Sequence, residues 1–160
     1  SGAGSPSSSG SVRDSYPASA WGKCDPDLWE HVHGKDVDGV PGPDRLQIIK
    51  PCKTVAGIIE GIEAQEDGDY HVLLKPDPAH FDILLDPRFK GNIEFQDGNL
   101  VTEPICAVPK GVCGNFSQEF DIEVGQHVEM TGSYVLDKNE DHPEDQQWLE
   151  IHPITSIVSG

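Results

Sequence analysis

At 160 residues, with 11 Lys plus Arg against 28 Asp plus Glu and a formal net charge of −17, the chain reads as one compact acidic domain with a tail. A surface of that sign repels phosphate backbones and anionic headgroups and attracts cations and basic partners, so no nucleic-acid partner is expected. No apolar run approaches the roughly 20 residues that span a bilayer, so no membrane insertion is expected, and an exported chain would have lost its signal peptide.

Residues 1–20, opening Ser-Gly-Ala-Gly-Ser-Pro, lack an apolar period and read as a disordered, flexible tail or linker, which leaves 21–160 as the domain. Asp25-Pro26 has the cap-then-proline order of a helix N-terminus, and a short helix is expected from there to His33, with Leu28 and Val32 on one face. Gly34 to Pro43 is a loop by composition, and Asp44 to Ile49 reads as a further helical turn before Pro51.

From Cys52 the texture becomes β. Cys52 to Glu63 is long and β-branched, with Gly57 and Gly61 where a strongly bent strand needs them. Glu66 to Asp69 is a turn signal, and Tyr70 to Pro76 is the returning strand of a hairpin. Asp77 to Asn99 is less regular, and its Phe81, Ile83, Leu84, Leu85 and Phe89 are expected to cover one end of a barrel. Leu100 to Val108 is the third strand, with Pro104 at an edge or bulge. After a short Phe116 to Ile122 segment, Val124 to Leu136 is the fourth strand and Leu149 to Val158 the fifth.

The cysteines, Cys24, Cys52, Cys106 and Cys113, include no CxxC pair, so disulfides fit better than a zinc ribbon or a thioredoxin-type site. Of the three pairings, Cys24 with Cys52 and Cys106 with Cys113 is favoured, tying an N-terminal arm to the first strand and stapling a local loop. Four reduced, buried thiols are the alternative, and they would suit a reducing compartment.

A long glycine-bent strand, a hairpin and an irregular segment before three further strands predict an all-β fold. The architecture expected is a five-stranded, OB-fold-like Greek-key barrel with a short N-terminal helix. Three phrases carry a family likeness: Asp67-Gly-Asp-Tyr-His71, Gly132-Ser-Tyr-Val-Leu-Asp137 and Trp148-Leu-Glu-Ile-His-Pro153. On them the chain resembles a little-characterised group of exported prokaryotic OB-like domains, from about Cys24 to Ile157, with Gly34 to Pro43 as an insertion. The resemblance implies the fold and an extracellular or cell-surface location more firmly than any activity.

The sharpest chemical constellation is His71, Asp137, His142, Glu150 and His152. If Tyr70, Val72 and Leu74 face the core, His71 faces the other way, and the same alternation on the fifth strand displays Glu150 and His152. Glu-x-His on a strand sets its two ligands about 7 Å apart at Cα on one side, near enough to share an ion. Imidazole and carboxylate are the donors of Zn²⁺ or Cu²⁺, and metal binding through neutral imidazoles should weaken as pH falls through about 6 to 6.5. His31 and His33, beside Glu30 and Asp36, form a second candidate set. Asp36 to Asp44 has the look of a calcium loop but lacks the bidentate Glu of an EF-hand.

Catalytic signals are thin. There is no Gly-x-Ser-x-Gly, the cysteines look structural, and no nucleophile sits beside a base, so an enzyme is not expected, with a metal-dependent hydrolase as the least favoured alternative. A single-strand binder would interleave Lys and Arg with its aromatics, and around Tyr70, Tyr134 and Trp148 almost none occur. The reading is an exported, disulfide-stapled OB-like domain that binds a divalent metal ion, Zn²⁺ or Cu²⁺ ahead of Ca²⁺, alone or bridging a homo-oligomer. The alternative is an acidic module that recognises a protein or glycan without metal.

Overall fold

The computed structural model describes residues 15–33, 46–64, 70–104, 120–138 and 143–160. The described chain is mostly β with only short helices. Its strands are β1 (Leu46–Ala64), β2 (Tyr70–Pro76), β3 (Leu100–Thr102), β4 (His127–Asp137) and β5 (Trp148–Ser159). They form one sheet that closes into a ring in the order β1-β2-β3-β5-β4. All pairings are antiparallel except β3 with β5, which is parallel.

The ring closes because β1 is long enough to serve two partners. Its second half, Gly57 to Ala64, pairs with β2, while Leu46 to Ile58 pairs with β4. Residues Leu46 to Ile49, expected as a helical turn, belong to this strand: β4 offers Leu46, Gln47 and Ile48 the partners Asp137, Leu136 and Val135. Pro51 does not break the strand because it lies in the register shift between Lys50 and Lys53, where a missing N–H costs no ladder bond. Its carbonyl accepts a hydrogen bond from the Ser133 hydroxyl at 2.9 Å. At Gly57 the neighbouring strand comes so close that a Cβ would collide with the Lys75 carbonyl, and at Gly132 it would collide with Pro153 and Ile151.

β3 stops at Thr102, short of the expected end; Glu103 continues alongside β5 through its backbone, and Ile105 to Val108 lie outside the described residues. β4 begins at His127 because Val124 and Gly125 form a turn, with Gly125 at φ 94°. His127 ties that end down: Nε2 meets Asp77 Oδ2 at 2.7 Å and Nδ1 the Gly160 carbonyl at 2.9 Å.

Inside the ring, Val55, Ile59, Val72, Leu74, Leu100, Val128, Met130, Leu136, Leu149, Ile151 and Ile154 form the main core. Ile83, Leu84 and Phe89 join it from the segment between β2 and β3, as expected, whereas Leu85 is 60% exposed. That segment includes α3 (Gly91–Phe95), whose fully buried Asn92 works as a polar clip. Its side-chain nitrogen donates to the Asn99 and Leu149 carbonyls at 3.0 and 2.9 Å, and its oxygen accepts from the Leu149 N–H at 2.7 Å. β5 is thereby fastened just before the residues of greatest chemical interest.

A second, smaller core lies outside the ring. The helices α1 (Ala18–Trp21) and α2 (Pro26–His33) lay Trp21, Cys24 and Trp29 over Leu46 and Val135. α2 starts where expected, with the Asp25 carboxylate accepting from the Asp27 N–H at 2.8 Å. Its inward residue is Trp29, 2% exposed, rather than Leu28, because the indole carries more apolar surface to the satellite core. The Cys24–Cys52 disulfide joins this arm to β1, as the favoured pairing required. Cys106 and Cys113 lie outside the described residues, as does the expected turn at Glu66 to Asp69.

Candidate metal centre

Register alone brings the chemistry together. Leu73 pairs with Val101 and Val72 with Thr102 across β2 and β3, so one step further along His71 stands opposite Glu103. Across the parallel pair, Val101 matches Glu150 and Thr102 matches Ile151, so the next step sets Glu103 beside His152. Two backbone hydrogen bonds hold that extension: the Glu103 N–H donates to the Ile151 carbonyl, and the Glu103 carbonyl accepts from the Ile154 N–H, both at 3.0 Å. Pro153 has no N–H, so the donor falls to Ile154. Because Val72, Leu74, Leu149 and Ile151 fill the core, His71, Glu103, Glu150 and His152 share the outer face.

The side chains interlock around Glu103. His71 Nε2 lies 3.3 Å from Glu103 Oε1, and His152 Nδ1 lies 3.3 Å from Glu103 Oε2. The same Nδ1 is 3.1 Å from Glu150 Oε1, and the Trp148 indole N–H donates to the other oxygen, Glu150 Oε2, at 2.8 Å. One donor atom each from Glu103, Glu150 and His152 lies within 4.8 Å of the others.

Outer-face residues of a small ring are expected to meet water, and Glu150 does not: it is 0% exposed. The N-terminal arm is the reason. Val135, the register partner of Glu150 on β4, belongs to the satellite core of Trp21 and Trp29, and α2 packs against β5. The expectation that Glu150 and His152 are displayed to solvent is therefore corrected: alternation selected their face, and the arm covered it. His71 remains the most open member, its side chain 27% exposed.

Burial and charge set the protonation pattern. For His152, burial disfavours the charged ring, but the Glu103 carboxylate, the Glu150 hydrogen bond and the charges of Glu150 and Asp137 prevail and raise its pKa to about 9. His71 follows the same balance, with burial opposed and outweighed by Glu103, so it too is raised. Burial pushes Glu103 up, yet the two histidines hold it below the usual carboxylate range. Glu150 moves the other way, raised by burial and by the negative charge of Glu103. Two carboxylates in one dry place cannot both ionise cheaply, and the protons kept on His152 and His71 offset their charge.

Of the residues singled out in the sequence, the structure brings His71, Glu150 and His152 into this cluster. Asp137 is buried at the edge, paired in register with Trp148, and adds negative charge toward His152, but it is not one of the three residues whose donor atoms converge. His142 and the Asp36 to Asp44 loop lie outside the described residues. His31 and His33 fall within α2, but their side chains are outside what is described. Glu103 was missed. Its signal was the alternation Val101, Glu103 on the third strand, and that signal becomes informative only once β3 is known to lie between β2 and β5. Among the described residues, no helix is long and apolar enough to cross a membrane.

No protein-family model, no curated protein and no solved structure matches the chain.

Proposed function

We propose that this chain is an exported, OB-type domain that binds one divalent transition-metal ion through Glu103, Glu150 and His152, with His71 as the fourth donor. The observation that carries the reading is a pair of donor separations. A tetrahedral ion with metal–ligand bonds of about 2.0–2.1 Å holds its donors about 3.3 Å apart. His152 Nδ1 lies 3.1 Å from Glu150 Oε1 and 3.3 Å from Glu103 Oε2. The donors are thus already spaced as edges of such a polyhedron, around a nitrogen whose proton an ion would replace. Mixed imidazole and carboxylate donors in a buried setting suit Zn²⁺ or Cu²⁺ better than a hard cation.

The OB-type assignment draws support from the ring order β1-β2-β3-β5-β4 with its parallel β3–β5 contact, five strands closing in a Greek-key manner. Export draws support from the Cys24–Cys52 disulfide, since such bonds persist chiefly in oxidising compartments.

Titration calorimetry of the chelator-stripped, disulfide-intact chain with Zn²⁺ and Cu²⁺ at pH 8 tests the reading. The expected result is a one-to-one complex with Kd of about 10 μM or tighter, weakened at least about tenfold in Glu103→Gln and lost in His152→Ala. Binding no tighter than about 100 μM in a folded sample refutes it, as does binding indifferent to both substitutions.

A further inference from the structure

The Trp148 side chain has no role in the proposal above, yet its indole N–H takes one of the two oxygens of Glu150. Resting on the metal reading, we propose that Trp148 is a positioning residue that sets the selectivity of the centre for four-coordinate, zinc-like ions over calcium and magnesium.

Glu150 Oε2 is engaged by Trp148 at 2.8 Å, which leaves Oε1, the oxygen facing His152, as the atom it offers an ion. Glu103 is placed differently, with Oε1 facing His71 and Oε2 facing His152, each at 3.3 Å. The partners of Glu103 are themselves donors to the ion, whereas Glu150 cannot turn both oxygens to one ion without giving up the 2.8 Å hydrogen bond from the half-buried Trp148 indole. The protein therefore offers a single oxygen of Glu150, the carboxylate of Glu103 and two imidazole nitrogens. Calcium takes six to eight oxygens, commonly including a bidentate carboxylate, and magnesium takes six in octahedral array. Two nitrogens beside two carboxylates, one of them held to a single oxygen, fall short of six oxygens and match the coordination number and donor softness of zinc-class ions.

Trp148 is held for this task by its backbone. It opens β5 opposite Asp137, two residues before Glu150 on the same face, so its indole reaches along the strand to the carboxylate. His152 and Glu103 are the charged groups that act on Glu150, and Asp137 on β4 acts on His152.

The test compares Zn²⁺ and Ca²⁺ binding by calorimetry in the full wild-type chain and in Trp148→Phe, which keeps an aromatic ring and removes the N–H. Wild type is expected to favour Zn²⁺ by at least about 100-fold; in the variant Zn²⁺ binding should weaken about tenfold while Ca²⁺ binding does not, narrowing the ratio. If both affinities fall together, Trp148 is only packing and the inference fails while the metal reading stands. If wild type binds no Zn²⁺, the metal reading falls and takes the inference with it. Should Trp148→Phe not fold, the wild type still decides through the assigned indole N–H resonance on saturation with Zn²⁺. Continued protection from solvent exchange supports the inference. Exchange as fast as in a free indole shows that Glu150 has released Trp148 to chelate the ion, which overturns it.

Discussion

The protonation of His152 makes a prediction that needs no metal. In the folded chain its pKa is about 9, against 6.5 for the unperturbed imidazole. A raised histidine stabilises the fold fully below its unfolded value and loses that contribution as pH climbs through the folded value, so stability should fall between pH 6.5 and 9. A difference of about 2.5 units at 1.36 kcal/mol each corresponds to about 3 kcal/mol, a large share of a small domain's stability. His71, also raised by Glu103, adds a loss of the same sign, and Glu150, raised by burial and Glu103, adds one that begins at lower pH. Glu103 is lowered, so its contribution is already present at neutral pH and disappears only in acid. Urea unfolding of chelator-treated protein at pH 6 and pH 9.5 measures the drop. His152→Gln, neutral throughout and still able to donate to the two carboxylates, should flatten most of it. Wild-type stability that is level or rising across this window, or an undiminished drop in His152→Gln, would refute the protonation pattern.

The same proton competes with an ion, so apparent Zn²⁺ affinity should rise about tenfold per unit between pH 7 and 9 in a calorimetric pH series. This moves the expected window from about 6 to 6.5 up to that of the paired His152. Asn92→Ala removes three buried hydrogen bonds, two of them to the N–H and the carbonyl of Leu149, so chemical denaturation should show a loss of about 3 kcal/mol. The Cys24→Ala, Cys52→Ala pair opens a loop closed across a separation of 28 residues and should lower stability by about 3–4 kcal/mol. Gly132→Ala forces a Cβ against the Pro153 carbonyl and Ile151, where β4 crosses β5, and its melting temperature should fall clearly below that of the wild type, whereas Gly22→Ser, with nothing near its Cβ, meets only backbone strain.

Much of the strand pattern was legible locally. The period of two marked Val72 and Leu74 on β2 and Leu149 and Ile151 on β5 as inward residues, and the structure buries all four. Tyr70–Pro76 is the expected returning strand, and Asp25-Pro26 starts a helix where the capping order put it. The legible part ended where a neighbour decided the outcome. Leu46 to Ile49 has the composition of a helical turn or a strand, and the partners on β4 made it a strand. Leu85 is as apolar as Leu84 beside it, yet only Leu84 reaches the core.

The site divides along the same line. The sequence by itself determined which residue types were present and which face each strand would give them, because alternation is a property of the extended backbone: His71 away from the core, and Glu150 with His152 on one side of β5. Only the tertiary structure decided that these faces meet. That took β3 between β2 and β5, which carried Glu103 into the gap, and an N-terminal arm, pinned through Cys24, that closed over Glu150. Strand order and long-range cover are settled by where apolar surface is buried across the whole chain, so they leave no local period to read.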